Sequence, residues 1–400
     1  MAEQLSREEK LKLIYQNLQE VLKPEIIEQV VLKEDRPLKI YWGTATTGRP
    51  HCAYFVPMVK LAHFLRAGCK VKILLADIHA FLDALKAPIE LVKERAKYYR
   101  FVITSLLKAI NVPIDQLEFV MGSDYQTSSN YTMDLFKLSS VVTEHDAKKA
   151  GAEVVKQMDN APLSGLIYPL MQALDEQYLD VDAQFGGVDQ RKIFTLAAEQ
   201  LPRINYKERA HLMNSMVPGL AGGKMSASDP ESKIDILDTP DAVKKKLKKA
   251  YAVPKEVTDN GLISFVEYVL LPVSALKTEG KGKFVVERRE GEPLVYDSIE
   301  TLKDDYTADT LTPQLLKSGV TDALNALLEP IQAEFKASKE WQEVEQKAYP
   351  PPEVKKKPKK EKKLGDRFPG VIRDQVKPDD KVEEEQRKHE ENLVTGLSKP

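Results

Sequence analysis

The residues of this 400-residue chain best suited to chemistry lie in two glycine-bearing segments, and the chemistry they suit is phosphate binding. The first runs from Leu38 to Gly68, LKIYWGTATTGRPHCAYFVPMVKLAHFLRAG, and sets Gly43, Thr44, Ala45, Thr46, Thr47 and Gly48 ahead of His51. The second is Gly222-Gly223-Lys224-Met225-Ser226-Ala227-Ser228. An imidazole N–H, a lysine ammonium and hydroxyl groups all donate to phosphate oxygens. Gly43 and Gly48 carry no Cβ where a nucleotide would approach closely. The paired glycines before Lys224 make a mobile hinge.

Two further stretches carry polar groups in positions that call for a ligand. Residues 164–177 read as a helix on which Tyr168, Gln172 and Asp175 stand at i, i+4 and i+7, so that they project the same way. A phenol, an amide and a carboxylate on one stripe are poor core material unless something polar meets them. Gly186-Gly187 follows a segment that reads as a strand, 181–185, and a helix begins near Val188 with Asp189 and Gln190 in its first turn. An acid there either binds ribose hydroxyls or simply complements the helix dipole.

The elements that must position these groups alternate. Residues 38–42, 71–76 and 117–121 read as strands, with helices from Pro50 to about Ala67 and from Pro88 to Asn111 between them. Gly68 stops the first of these helices. This alternation predicts an α/β fold, a doubly wound parallel sheet. A strand, a small-residue turn and a helix start leave backbone N–H groups and a dipole facing an anion. Residues 6–22 read as an amphipathic helix with Leu11, Ile14, Leu18 and Leu22 on one stripe. Tyr131–Val141 and His145–Met158 also read as helices. Beyond Asp229 the pattern turns mostly helical, with a short strand-like piece at 284–289.

Composition narrows the partners. The chain holds 59 Lys+Arg and 61 Asp+Glu, a net charge of −2, so a nucleic-acid partner must be argued from local basic clusters. Two cysteines exclude a disulfide framework and suit a reducing compartment. Six histidines without tight spacing give no metal site. No apolar run suggests a membrane span, and the N-terminus does not read as a signal peptide. Lys244, Lys245, Lys246, Lys248 and Lys249 crowd one helix, 238–251. It is a solvated face, an RNA-phosphate patch or a nuclear import signal. KKKPKKEKK at 355–363 opens a tail, 350–400, whose composition predicts disorder and non-specific affinity for nucleic-acid phosphates.

The two segments together resemble the signatures of class I aminoacyl-tRNA synthetases: the HIGH box at His51-Cys52-Ala53-Tyr54 and the KMSKS loop at Lys224-Met225-Ser226-Ala227-Ser228. YWGTATTGRPH, SGLIYPLMQALD, FGGVDQRK and MVPGLAGGKMSAS, in that order, are similar to the eukaryotic cytoplasmic tyrosyl branch, most nearly the fungal type, from about residue 8 to about 350. The resemblance implies a Rossmann-like catalytic domain at 1–230 with a dimer-forming, acceptor-end insertion at about 123–160. It also implies a mostly helical anticodon-binding domain at 231–349, with the tail expected in place of the large appended domain of some animal relatives. It implies a tyrosine–tRNA ligase that joins L-tyrosine to ATP as tyrosyl-adenylate, then transfers it to tRNA(Tyr), without a covalent enzyme intermediate. Catalysis would then be positioning and charge stabilisation, which suits His, Lys, Ser, Thr and Gly.

By the same resemblance His51, Lys224, Ser226, Thr46 and Thr47 serve catalysis. Tyr41, Tyr168, Gln172, Asp175 and Gln190 bind tyrosine, with Tyr41 and Asp175 on the phenol. Gly43, Gly48, His51, Gly187, Asp189 and Lys224 bind ATP. Lys148, Lys149, Lys156, Lys246 and Glu287 meet tRNA. Mg²⁺ arrives with the phosphates of ATP rather than in a protein cage. The expected assembly is a homodimer, and the expected location the cytoplasm with a nuclear fraction. Ala53 and Tyr54 depart from HIGH, and Ala227 removes the second KMSKS lysine, so pyrophosphate charge rests on Lys224 and backbone groups. A tryptophanyl-tRNA synthetase shares both motifs. An HxGH-type nucleotidyltransferase and a non-catalytic relative that binds structured RNA are further alternatives.

Overall fold

A computed structural model describes residues 5–83, 87–114, 117–155, 162–219, 233–278 and 280–351. Its centre is a six-stranded sheet in the order β1-β6-β5-β2-β3-β4. The strands are β1 (Leu18–Leu22), β2 (Lys39–Ala45), β3 (Lys70–Ala76), β4 (Leu117–Met121), β5 (Ala183–Gly187) and β6 (Ala210–Asn214). β2 to β6 are parallel; β1 is antiparallel to β6 at the edge. Chain order runs outward from β2 through β3 and β4, then resumes on its other side at β5. The gap between the carboxyl ends of β2 and β5 is therefore the topological switch point, where open α/β sheets bind ligands.

Helices cover both faces: α1 (Arg7–Tyr15), α2 (Pro24–Glu28), α3 (Phe55–Arg66), α4 (Asp77–Leu82), α5 (Ile89–Ala109), α6 (Ser129–Val141), α7 (Glu144–Gly151), α8 (Ser164–Tyr178) and α9 (Arg191–Gln200). β2 and β3 are buried on both sides, which is why their apolar runs read as strands. α3 packs Phe55, Met58, Leu61 and Phe64 into the core and stops at Gly68, whose φ of +79° few other residues tolerate.

Several elements differ from the sequence reading. The helix expected over 6–22 ends at Tyr15. Asn17 turns the chain at φ +59°, and Leu18–Leu22 pairs with β6. The apolar stripe did not distinguish a helix from a short helix followed by an edge strand. α7 ends at Gly151, short of the expected Met158, of which residues 156–158 lie outside the described residues. Ala210–Asn214, read only as a lead-in to the loop, is a sheet strand buried between β1 and β5.

The later elements are α10 (Pro240–Lys249), α11 (Gly261–Phe265), α12 (Leu271–Thr278), the hairpin β7 (Phe284–Val286) and β8 (Leu294–Tyr296), α13 (Ile299–Thr307), α14 (Pro313–Ala337) and α15 (Lys339–Ala348). One continuous helical run, Gly261–Thr278, is long and apolar enough by length and composition to cross a membrane, contrary to the sequence reading. Half of it is buried here, with Leu262, Ile263, Val266, Val269 and Val273 in the core. α15 lies on α5, where the buried Trp341 stacks on Phe101 with centroids 5.6 Å apart. Truncating a buried tryptophan costs about 3–5 kcal/mol.

Candidate active site

A cavity of about 400 Å³ opens at the switch point. Its walls come from the ends of β2 (Tyr41 to Ala45) and β5 (Gln184 to Gly187), from His51, and from one face of α8. Tyr168, Gln172 and Asp175 line it together, as their helical spacing requires.

Asp175 forms the floor and is fully buried. Its Oδ1 accepts from Tyr125 Oη at 2.8 Å, Gln126 Nε2 at 2.8 Å and Tyr131 Oη at 3.1 Å. Its Oδ2 has no hydrogen-bond partner. Burial raises the carboxyl to about 7, against the opposing pull of those three donors. A buried acceptor kept unpaired is costly, and such sites are where ligands bind. Tyr41, beside it, is buried and its hydroxyl donates weakly to the Gln172 carbonyl at 3.4 Å. Higher up, Gln172 Nε2 donates to Gln190 Oε1 at 3.2 Å.

A side chain at either glycine of the second βα turn would force a neighbouring side chain to move. A Cβ on Gly187 would lie 2.6 Å from Asp189 Oδ1, and one on Gly186 would lie 2.9 Å from Phe194 Cζ. At Gly43 a Cβ would make only ordinary contacts of 3.5–3.7 Å with Tyr41 and Leu74, so packing does not demand glycine there; it leaves room in the cavity.

His51 lines the cavity mouth, and burial holds its ring at about 4, with Lys233 adding to the effect, so it is a neutral donor. Tyr54, at the last HIGH position, sets its ring edge against His51 (5.7 Å) and bonds Thr44 Oγ1 at 3.0 Å. Residues 220–232, which carry Lys224 and Ser226, lie outside the described residues. Both flanks of that segment are at the cavity. Met216 lines it, and Cys52 N donates to Ile234 O at 2.9 Å next to the His51–Asp235 bridge.

Of the expected residues, Tyr41, Gly43, His51, Tyr168, Gln172, Asp175, Gly187, Asp189 and Gln190 meet at this cavity. Thr46 does not: it is fully buried and its Oγ1 has no partner. Thr47 and Gly48 line a neighbouring cleft with Arg49, Arg95 and Tyr349. The turn is pinned there, because Gly48 O accepts from Tyr99 Oη (2.7 Å) and Tyr349 Oη (2.8 Å), and Arg95 donates to Thr47 O. Lys148 is exposed and paired with Glu144 at 2.5 Å; Lys149 and Glu287 are exposed; Lys156 lies outside the described residues. Lys246 is largely covered and bonded to Asp238 at 2.7 Å. Tyr125, Gln126, Tyr131 and His79 complete the floor and escaped the sequence reading. They lie on other elements at distances in sequence that no periodicity links to Asp175. Among the described residues no group of three or more His, Cys, Asp or Glu is placed to hold a metal.

Residues 33–329 match the family described as tRNA synthetases class I (W and Y). A cytoplasmic tyrosine–tRNA ligase of Saccharomyces cerevisiae is 59% identical over 367 residues, covering 90% of this chain and 93% of the yeast protein.

The chain belongs to the cytoplasmic tyrosyl-tRNA synthetases.

The tyrosine–tRNA ligase of Danio rerio is 55% identical, and the alignment covers 89% of this synthetase but 66% of the longer fish protein. The tyrosyl-tRNA synthetase of Archaeoglobus fulgidus, solved with L-tyrosine, superposes with a TM-score of 0.75 at 36% identity, covering 82% of this chain and 99% of that one. A tryptophanyl-tRNA synthetase of Giardia lamblia shares the fold at a TM-score of 0.59 and 18% identity. The tryptophanyl alternative therefore gains no support, and this synthetase is a class I tyrosine–tRNA ligase with ATP as a substrate.

Proposed function

We propose that the cavity binds L-tyrosine with its phenol on Asp175 and Tyr41 and its ammonium group among Tyr168, Gln172 and Gln190. ATP lies across the mouth, along Gly43, His51, Gly187 and Asp189. Lys224 and Ser226, on the segment flanked by Met216 and Ile234, close over its phosphates. The tyrosine carboxylate attacks the α-phosphate; the bond to pyrophosphate breaks; the tRNA(Tyr) terminal hydroxyl then takes the tyrosyl group and releases AMP. His51, neutral at physiological pH, donates to phosphate oxygen without bringing a charge of its own. Mg²⁺ would enter on the phosphates of ATP and offset their charge.

The observation that carries this reading is the unpartnered Asp175 Oδ2 at the cavity floor. A hydroxylated ring supplies the missing donor; phenylalanine leaves the oxygen buried and unpaired. Tyrosyl-tRNA synthetases are the established example of discrimination by this means. Pyrophosphate exchange into ATP, run across the standard amino acids, tests the reading. Exchange with tyrosine alone is expected, and exchange driven equally by phenylalanine would defeat it.

Two assignments beyond the cavity belong to the same proposal. Residues 1–230 form the catalytic domain and 231–349 the anticodon-binding domain, with exposed Glu287, just past β7, facing the anticodon. A homodimer forms through α6, supported by Met133 and Phe136, which are 54% and 62% exposed on that helix. Lys148 and Lys149 on α7 lie near it and meet the acceptor end.

A further inference from the structure

His79, in α4, lines the cavity and is 2% exposed. No motif of the chain includes it. Its Nδ1 lies 3.4 Å from Gln126 Nε2, and that same nitrogen donates to Asp175 Oδ1 at 2.8 Å. An amide NH₂ has two hydrogens and no lone pair to offer. Its second hydrogen therefore faces His79, Nδ1 is the acceptor, and the ring proton sits on Nε2. Nε2 has no hydrogen-bond partner and lies 3.8 Å from Asp175 Oδ2, which has none either. Tyr168 holds the ring from the side, edge-on, with centroids 4.7 Å apart. Burial lowers the ring to about 4, against a smaller opposing effect of the Tyr168 backbone, so Nε2–H is a neutral donor.

A buried donor and a buried acceptor at 3.8 Å are too far apart to satisfy one another. An oxygen atom about 2.8 Å from each would satisfy both. A hydroxyl is the group that can accept from one and donate to the other. We propose that His79 is a specificity-determining residue: its Nε2–H donates to the phenol oxygen of bound tyrosine while the phenol O–H donates to Asp175 Oδ2. This rests on Asp175 as the phenol's acceptor and adds the matching donor. The phenol oxygen keeps a second lone pair for the Tyr41 hydroxyl, whose bond to the Gln172 carbonyl is long at 3.4 Å, and His79 Nε2–H has no hydrogen-bond partner of its own. Phenylalanine would orphan both groups.

Pyrophosphate exchange driven by tyrosine and by phenylalanine, in the full chain, tests this. His79→Phe keeps a ring against Tyr168 and removes the N–H. It is expected to lower kcat/KM for tyrosine about tenfold, the worth of one buried hydrogen bond, and to leave that for phenylalanine within about twofold. His79→Gln keeps an N–H and is expected to recover most of the selectivity; His79→Leu, which also lacks the N–H, takes the place of the Phe variant if that does not fold. An equal fall for both amino acids, or an unchanged tyrosine-to-phenylalanine ratio, would overturn the assignment. Asp175→Asn, measured beside them, separates the two readings. A ratio that survives it sinks the phenol site itself, whereas a ratio that collapses there but survives at His79 sinks only the histidine's role.

Discussion

Asp175→Asn should make the synthetase more stable at alkaline pH and less selective. The three donors on Oδ1 fix which atom becomes the amide oxygen, so the NH₂ takes the place of Oδ2. Burial raises the wild-type carboxyl from its ordinary 3.8 to about 7. A raised carboxyl pKa means that the folded state holds a proton the unfolded chain has already lost. Stability therefore falls as pH rises from about 4 to about 7 and is flat above. The whole effect is on the order of 4 kcal/mol, of which about 3 kcal/mol is lost between pH 5 and pH 8.5. The amide does not titrate, so the variant keeps that increment. Urea unfolding of both proteins without tyrosine, at pH 5 and pH 8.5, reads it as a difference that moves toward the variant by about 3 kcal/mol. Other titrating groups cancel. Exchange assays should show tyrosine kcat/KM reduced about ten- to a hundredfold, because the phenol proton now meets a donor. Parallel stability differences at the two pH values would refute the reasoning, since they would mean that Oδ2 is not an uncompensated buried charge.

Lys224→Ala should slow adenylate formation while tyrosine binding stays near wild type; stopped-flow and equilibrium titration separate the two, and equal loss of both would indicate misfolding. Gly187→Ala places a methyl 2.6 Å from Asp189 Oδ1, so it should raise KM for ATP about tenfold and leave KM for tyrosine within about twofold. Phe136→Asp buries a charge in the proposed dimer face and should yield monomer in sedimentation velocity, whereas an unchanged dimer would place the interface elsewhere.

Much of the site was legible because local geometry alone sets it. The i, i+4, i+7 spacing of Tyr168, Gln172 and Asp175 puts them on one face wherever α8 lies, and Gly186-Gly187 ends a strand in any fold. The 6–22 segment shows where local reading fails. The stripe of Leu11, Ile14, Leu18 and Leu22 fits a helix, but pairing with β6 satisfies the backbone of 18–22 as an edge strand, and nothing local encodes that partner. Thr46 and Lys246 show the converse. Each is of the right type in the right motif or cluster, yet packing buries Thr46 and an ion pair with Asp238 occupies Lys246.

The sequence by itself determined the class of enzyme, the order of the central strands' motifs and the polar face of α8, because strand and helix periods and turn chemistry act over a few residues. Only the tertiary structure decided that Asp175 keeps one oxygen paired three times and the other bare. The donors on the first, Tyr125, Gln126 and Tyr131, come from the connection after β4 and from α6, and the nearest donor to the second, His79, comes from α4. The pKa of a buried carboxyl is a sum over neighbours that the fold, not the chain order, brings together.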